Sequence, residues 1–337
     1  MEKTNNKLKF LLIPLIFTFA IIFLLSLIIG DINTPLKTVF KVLTGDGDAL
    51  SRSVILQIRL PRFLAAAAVG SMLAIAGLIM QTIFRNPLVD PYFLGISSAA
   101  ELGISVAIML GVSSTLFGIS IMSIIAFSFS VILIFGIVKI ARLKNFLESK
   151  IAIVLLGIAI SYMLSAVNNF LIFYKKDIFI KSTFWALKGF NTANISEFLF
   201  AVPFLVAGFI YILSNAKKMN IYLSSDLTAH SLGINLSKFV PLMLAVSALI
   251  AAASVMIAGS ISFIGLFTPH IGRLIAGEER KKLAIVTLLL GATLLPVFDL
   301  ISRTVLPSQE IPINTITALI GAPFFIYLFV RSKNAQH

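Results

Sequence analysis

Long runs of uncharged, mostly apolar residues recur along this chain, and they constrain its fold more than any other feature. One of them extends from Phe63 to Phe84, between Arg62 and Arg85. An uncharged run of about 20 residues is long enough to cross a bilayer as a helix. Because the runs are continuous and do not alternate with polar residues, they predict helices and not the strands of a barrel. Only 12% of the 337 residues are charged, whereas a soluble domain has about 25%.

The runs predict an all-α membrane protein with about ten transmembrane helices, in a single polytopic membrane domain over residues 1–337. An even number of helices places both termini on one side. The excess of Lys and Arg in the connections, including 139–150, 217–238 and 273–282, favours the cytoplasm for that side. The predicted helices are Phe10–Gly30, Phe63–Phe84, two within Leu102–Val138 with a turn near Gly111, Ile151–Tyr174, Phe198–Ala216, Phe239–Gly259, a segment broken by Pro269 that ends near Arg273, Leu283–Phe298 and Ile311–Val330.

The composition also excludes several functions. The formal net charge of +13 comes from basic residues scattered over short connections, so membrane topology accounts for it better than nucleic-acid binding does. The chain has no cysteine, which excludes disulfides and thiolate metal sites. It has no G-x-x-x-x-G-K-[ST] loop, so it is not expected to bind ATP itself. An intramembrane enzyme would need a nucleophile–base or metal constellation, and the sequence shows none.

Small residues form a stripe on the helix predicted over Phe63–Phe84. Ala66, Gly70, Ala74 and Gly77 share one helical face. Because small residues let helix backbones approach closely, the stripe predicts a tight contact with another helix.

Three blocks of sequence resemble one family, the permease subunits of FecCD-type bacterial ABC importers for iron–siderophores, haem and vitamin B12. The first block combines R-L-P-R, R-N-P-L-V-D-P and L-G-I-S-S within Arg59–Gly103. The second, Gly259–Arg273, contains F-I-G-L-F-T-P-H-I-G-R, and the third, Glu310–Pro323, begins E-I-P and ends G-A-P. The blocks lie in order and span most of the chain.

The resemblance implies a set of partners and a location. The partners would be a second copy of the chain, two cytoplasmic ATPase subunits that bind ATP and Mg, an extracytoplasmic substrate-binding protein and the lipid bilayer. The chain itself would bind no cofactor, and it would lie in the bacterial cytoplasmic (inner) membrane. Iron–siderophore is the commonest substrate in such a family, while haem, vitamin B12 and oxyanions such as molybdate remain open.

Polar residues on two predicted helices suggest a translocation pathway, which the resemblance places at a homodimer axis. Ser161, Ser165 and Asn168 share one face of the fifth helix. The tenth helix carries a second set on one face, made up of Asn314, Thr317 and Gly321. The alternative is that these residues only make interhelical hydrogen bonds.

Arg59, Arg62 and Arg303 fall at predicted outer ends of helices. The resemblance implies that they meet glutamates of the docked binding protein, where charge-assisted pairs would fix the register. Their side chains are expected to remain in water. The alternative is that they snorkel to the membrane interface, as an arginine at any helix end can.

The connection at about 217–238 contains a short amphipathic segment that the resemblance identifies as the element contacting the ATPase. Ser225 or Asp226 can cap a short helix, Gly233 can end it, and Asn235 can cap the next helix. Leu227 would enter a socket in the ATPase, and His230 lies on the same segment. The alternative is an ordinary connector.

Two further residues bear on competing functions. A secondary transporter is the alternative of a different class, and it needs an intramembrane carboxylate for ion coupling. Glu101 is the clear candidate, since Asp299 lies near a helix end. The alternative is that Glu101 lies close enough to the cytoplasm to remain hydrated. His270 is expected to have a structural role, because the chain has only two other histidines and no ligand cluster.

Overall fold

Helices dominate the computed structural model, which describes residues 2–30, 32–143, 150–306 and 309–334. They are α1 (Glu2–Ile28), α2 (Leu36–Thr44), α3 (Ala49–Arg52), α4 (Leu60–Phe84), α5 (Ile96–Met109), α6 (Ile121–Leu143), α7 (Lys150–Tyr174), α8 (Lys176–Ala186), α9 (Ile195–Ser224), α10 (Asp226–Ser231), α11 (Leu236–Ala258), α12 (Ile264–Ala276), α13 (Arg280–Thr304) and α14 (Ile313–Asn334).

Short irregular elements connect some of these helices. A π-helical segment, Ser53–Arg59, joins α3 to α4, and a 3-10 turn, Pro91–Leu94, precedes α5. Strands β1 (Thr115–Leu116) and β2 (Ile119–Ser120) form an antiparallel hairpin between α5 and α6, with Thr115 opposite Ser120. Over the described ranges the predicted all-α class is therefore correct apart from this hairpin.

Seven described helical segments are long and apolar enough to cross a membrane. They are Phe10–Ile28 of α1, the continuous segment Ala49–Phe84, and α6, α7, α9, α11 and α13. Helix α5 and the Ile313–Tyr327 part of α14 are apolar but shorter, and α12 has 13 residues. The count of about ten spans, the single-domain organisation and the cytoplasmic position of both termini stay predictions.

Helix boundaries differ from the sequence-based prediction in three places. The second predicted helix is longer and begins at Ala49. Helix α8 lies where a connection was expected, because Lys176, Asp177 and Lys181 interrupt any uncharged run. Helix α9 continues to Ser224, so the connection predicted from residue 217 begins only after it. The predicted connection 139–150 lies partly outside the described residues.

The predicted helix break at Pro269 is wrong. Helix α12 continues through this residue, although proline has no N–H to donate to the carbonyl four residues earlier. That carbonyl belongs to Gly265, and Gln81 Nε2 of α4 donates to it at 3.3 Å. A side chain from a neighbouring helix thus replaces the missing donor, which is how membrane helices tolerate proline.

Helix α4 is the centre of the fold, and nearly its whole length is buried. It packs against α9, α11, α12 and α13. A Cβ atom added at Gly70 would lie 2.1 Å from the carbonyl oxygen of Gly291, and one at Gly77 would lie 1.8 Å from that of Gly265. The predicted close contact along the small-residue stripe is confirmed, and these two positions have room only for glycine.

Candidate functional site

A short, capped helix, α10, lies between the long helices α9 and α11. The hydroxyl of Ser225 accepts from Thr228 N at 2.9 Å and caps its start. Gly233, with φ of +79°, follows its end and donates to the carbonyl of His230 at 2.9 Å. Asn235 Oδ1 accepts from Lys238 N and caps α11. The caps predicted from the sequence are confirmed. Of the two residues predicted to cap the start of α10, Ser225 makes the capping hydrogen bond.

The outer side of α10 is open to a partner. The Leu227 side chain is 82% exposed, Leu232 is 62% exposed, and His230 is also exposed, whereas Ala229 is buried against the protein. An exposed leucine on a helix whose ends are fixed by local hydrogen bonds suits a socket in another subunit. The contact of α10 with an ATPase stays a prediction.

Asp226 ties α10 to the end of α4. Arg85 Nη2 donates to Asp226 Oδ1 at 2.6 Å, and Arg85 Nε donates to the carbonyl of Tyr222 at 3.0 Å. The sequence pointed to Asp226 but not to its partner Arg85, nor to Tyr222, whose carbonyl also accepts from Arg85. Arg85 and Asp226 are 141 positions apart, so no local pattern links them. The only sequence signal for Arg85 was its place in the R-N-P-L block.

Arg62 pairs with two acidic residues, the buried Asp299 and the partly exposed Glu310. Its Nε and Nη2 atoms donate to Asp299 of α13 at 2.9 and 2.8 Å. Its Nη1 atom donates to Glu310, in the segment before α14, at 2.7 Å. Only 7% of Arg62 is exposed. No pattern in the sequence indicated Asp299 or Glu310 as partners of this residue.

Arg59 and Arg303 bind the end of α1. Arg59 Nη1 donates to the carbonyls of Leu27 and Ile28 at 2.6 and 2.9 Å, and Arg303 Nη2 donates to that of Ser26 at 3.1 Å. The last carbonyls of a helix have no partner within the helix, and they carry the negative end of its dipole. The guanidinium groups of Arg59 and Arg303 donate hydrogen bonds to these carbonyls and place positive charge at the negative end of the helix dipole.

The expectation that the three arginines remain in water is therefore wrong. Arg59, Arg62 and Arg303 are all buried, because carboxylates and helix-end carbonyls of the same chain surround them. Their role in docking a binding protein stays a prediction. That prediction assumed exposed guanidinium groups, and all three residues are buried.

The polar stripe of α7 contacts its own subunit. Ser161 Oγ donates to the carbonyl of Gly157 at 2.7 Å, and Ser165 Oγ lies 3.4 Å from Ser98 Oγ of α5. Asn168 is buried. The opposite side of α7 is exposed and apolar, with Tyr162 at its middle.

The polar stripe of α14 is also directed inward. Asn314 Oδ1 accepts from Ser262 N at 3.1 Å, and Thr317 Oγ1 donates to the carbonyl of Asn314 at 3.1 Å. A Cβ atom at Gly321 would lie 2.4 Å from that of Phe263. Since α7 packs on α5 and α8 while α14 packs on α12 and α13, the two stripes lie in different helix groups. Their part in a pathway stays a prediction.

Glu101 and His270 lie in the helical body. Glu101 is partly buried in α5. The His270 ring packs edge-on against Phe324 of α14, with centroids 5.7 Å apart. This contact agrees with the structural role expected for His270.

A helical body with seven candidate spans among its described residues, and a short, exposed helix between two of them, is that of a multi-pass membrane protein. Residues 18–331 match the FecCD transport family. The chain belongs to this family, as the three sequence blocks indicated.

Several proteins of known type are similar to this chain. The cobalamin import permease BtuC of Halobacterium salinarum is 36% identical, over 80% of this chain and 72% of that protein. A probable iron chelatin permease of Helicobacter pylori strain 26695 is 35% identical, over 83% of both chains. A solved inward-facing structure described as a metal-chelate type ABC transporter superposes with a TM-score of 0.83. Its identity is 31%, over 96% of this chain and 99% of that one.

Membership of the family defines the general function. The chain is a multi-pass membrane permease subunit of the ABC importer family for metal chelates, haem and vitamin B12. In this family a separate subunit supplies the ATPase.

Proposed function

We propose that this chain imports a metal chelate, an iron–siderophore foremost, by alternating access. It works as a homodimer in the bacterial inner membrane, with two ATPase subunits on the cytoplasmic side and an extracytoplasmic substrate-binding protein on the other. The observation that carries this proposal is the exposed helix α10, which is capped at Ser225 and joined to the central helix α4 through Asp226 and Arg85.

The identity of the substrate is the more specific part of the proposal. The similarity to an iron chelatin permease supports an iron chelate, and the similarity to a cobalamin permease keeps vitamin B12 as the second candidate. Titration of the cognate binding protein with a ferric siderophore, haem, cobalamin and molybdate separates these candidates. Tightest binding of the ferric siderophore supports the proposal, and tightest binding of any other compound replaces the iron chelate.

The two polar stripes belong to the proposed pathway. Ser161, Ser165 and Asn168 on α7 would turn toward the dimer axis in another state of the cycle, together with the stripe on α14. The exposed apolar side of α7 around Tyr162 offers a surface for the second copy.

The coupling role of α10 is tested in proteoliposomes that contain the permease and its ATPase, with the cognate binding protein supplied on the extracytoplasmic side. Leu227→Asp places a charge in the proposed socket, so we expect ATP-driven uptake to be lost while the protein still inserts. Leu227→Met is the matched control, because it keeps an apolar side chain of similar size, and we expect normal uptake. Normal uptake by Leu227→Asp would make α10 an ordinary connector.

The source of energy distinguishes this proposal from a secondary transporter. The permease purified without its partner is expected to hydrolyse no ATP. Uptake should require Mg-ATP and should not respond to Glu101→Gln. Uptake that is driven by an ion gradient without ATP, and abolished by Glu101→Gln, would overturn the proposed function.

A further inference from the structure

Lys150, the first residue of α7, lies beside the same aromatic ring as Arg85. The Lys150 Nζ atom is 5.0 Å from the centroid of the Tyr222 ring, and the guanidinium carbon of Arg85 is 4.4 Å from it. Tyr222 is 1% exposed, and its hydroxyl donates to the carbonyl of Ile83 at 2.9 Å. The ring is therefore held in place by α4 while it contacts cations from two other positions in the chain.

Asp226 lies between these two cations. Its Oδ1 atom is 2.6 Å from Arg85 Nη2 and 4.0 Å from Lys150 Nζ. Without the carboxylate the two positive charges would repel each other across a short distance. One side chain of α10 thus contacts both the end of α4 and the start of α7.

Arg85 has a backbone conformation that is unfavourable for most residues with a side chain. Arg85 ends α4 with φ of 48° and ψ of 36°, in the left-handed region. A residue with a Cβ atom is disfavoured in that conformation, and helices usually place glycine there. An arginine at this position indicates that its contacts with Tyr222 and Asp226 offset the backbone cost.

The cluster is hydrated enough to rearrange. The side chains of Asp226, Arg85 and Lys150 are 52%, 26% and 22% exposed. Since water still reaches these groups, separating them carries a much smaller desolvation cost than a buried pair would impose. The 4.0 Å contact between Lys150 and Asp226 is the looser of the two ion pairs.

We propose that Asp226, Arg85, Tyr222 and Lys150 form a linkage that transmits displacement of α10 to the start of α7. Lys150 is then a positioning residue of the transport cycle. It acts through α7, the helix that carries Ser161, Ser165 and Asn168. The inference rests on the proposed function, since the ATPase supplies the displacement of α10.

The test uses a cysteine reporter on α7 in the full complex with the ATPase. The chain has no cysteine, so Ser165→Cys, a change of similar size on the proposed pathway face of α7, introduces a single maleimide target in the permease. The labelling rate is measured with and without Mg-ATP. We expect the rate to change with nucleotide in the otherwise unaltered chain. That response should be lost in Lys150→Gln and restored in Lys150→Arg, which keeps a cation beside the ring.

Two further variants show whether the effect belongs to the linkage. Lys139→Gln neutralises an exposed lysine near the end of α6 and should leave the nucleotide response intact. Asp226→Asn, with Lys150 unchanged, should also abolish the response, because it removes the other partner of the same ion pair. Thermal stability of Lys150→Gln should stay near that of the unaltered chain, since a hydrated pair contributes little.

The outcomes separate the linkage from the proposed function. If the unaltered complex hydrolyses ATP, either a nucleotide response that persists in Lys150→Gln or a reporter that never responds overturns the linkage. If permease and ATPase form no complex that hydrolyses ATP, the proposed function fails and the linkage fails with it.

Discussion

The two ends of α4 hold their arginines in opposite ways. At its start, Arg62 is buried and bonded to Asp299 and Glu310. Just past its end, Arg85 is partly exposed and shares Asp226 with Lys150. Arg62 and Arg85 are 23 positions apart along α4 and its C-cap, which is about 35 Å at 1.5 Å per residue.

The difference lies in hydration. The Arg62–Asp299 pair is buried, and separating it would leave an uncompensated buried charge, so we expect it to act as a lasting clamp between α4 and α13. The Arg85 cluster remains in contact with water, so its pairs exchange at little cost. This distribution of charge fits a transport subunit in which the Arg62 end of α4 is fixed and the Arg85 end can move.

The largest expected effect breaks the clamp. Arg62→Ala leaves Asp299 buried without its main partner, and we expect a loss of about 3–5 kcal/mol in the free energy of unfolding. Chemical unfolding of the purified protein in detergent measures it. Arg52→Ala, an exposed arginine in the preceding helix α3, is the control and should change little. Equal losses in the two variants would contradict the clamp.

The next effect concerns helix α4 between the Arg62 and Arg85 clusters. Gly77→Ala places a Cβ atom against the carbonyl of Gly265, so we expect a loss of about 1–3 kcal/mol from overpacking. Gly136→Ala in α6 is matched to it, because no atom lies within 4 Å of the added carbon. An unchanged free energy of unfolding for Gly77→Ala in the same assay would show that α4 does not pack tightly against Gly265 of α12.

A smaller effect on stability is expected at the movable end. Asp226→Asn removes the charge shared by Arg85 and Lys150, and the loss should be below about 1 kcal/mol because the pairs are hydrated. ATP-driven uptake should nevertheless fall. Unfolding and proteoliposome uptake are measured on the same preparation. A loss of stability as large as that of Arg62→Ala would remove the distinction between the two ends.

A separate expected effect is a pH dependence near the movable end. Asp90, in the connection after α4, accepts from Tyr92 N at 2.9 Å, and burial raises the pKa of its carboxyl to about 6. The folded state therefore holds the proton more tightly than the unfolded state, and stability from this group declines as pH rises from about 4 to 6.

Asp90→Asn keeps an oxygen for Tyr92 N and removes the titration. Its melting temperature should depend less on pH over this range, and at pH 7 it should exceed that of the unaltered chain. A melting temperature at pH 7 below that of the unaltered chain would show that the carboxylate is not destabilised by burial.

The sequence by itself determined the features that depend on local length and local hydrogen bonds. Uncharged runs located the main helices, because only a long apolar segment can satisfy its backbone within a bilayer. Ser225, Gly233 and Asn235 marked the ends of α10 and α11, because each bonds within a few residues of itself. The motif blocks likewise gave the family.

The tertiary structure alone decided which charges meet. Arg62 was placed at an exposed helix end by the sequence, yet it bonds Asp299 and Glu310, which are 237 and 248 positions away. No local pattern encodes such a pairing. Pro269 was expected to break its helix, and only the approach of Gln81 from α4 supplied the missing donor. Burial and pairing of polar groups are properties of the packed chain, so the residues that clamp this permease became identifiable only once its helices were assembled.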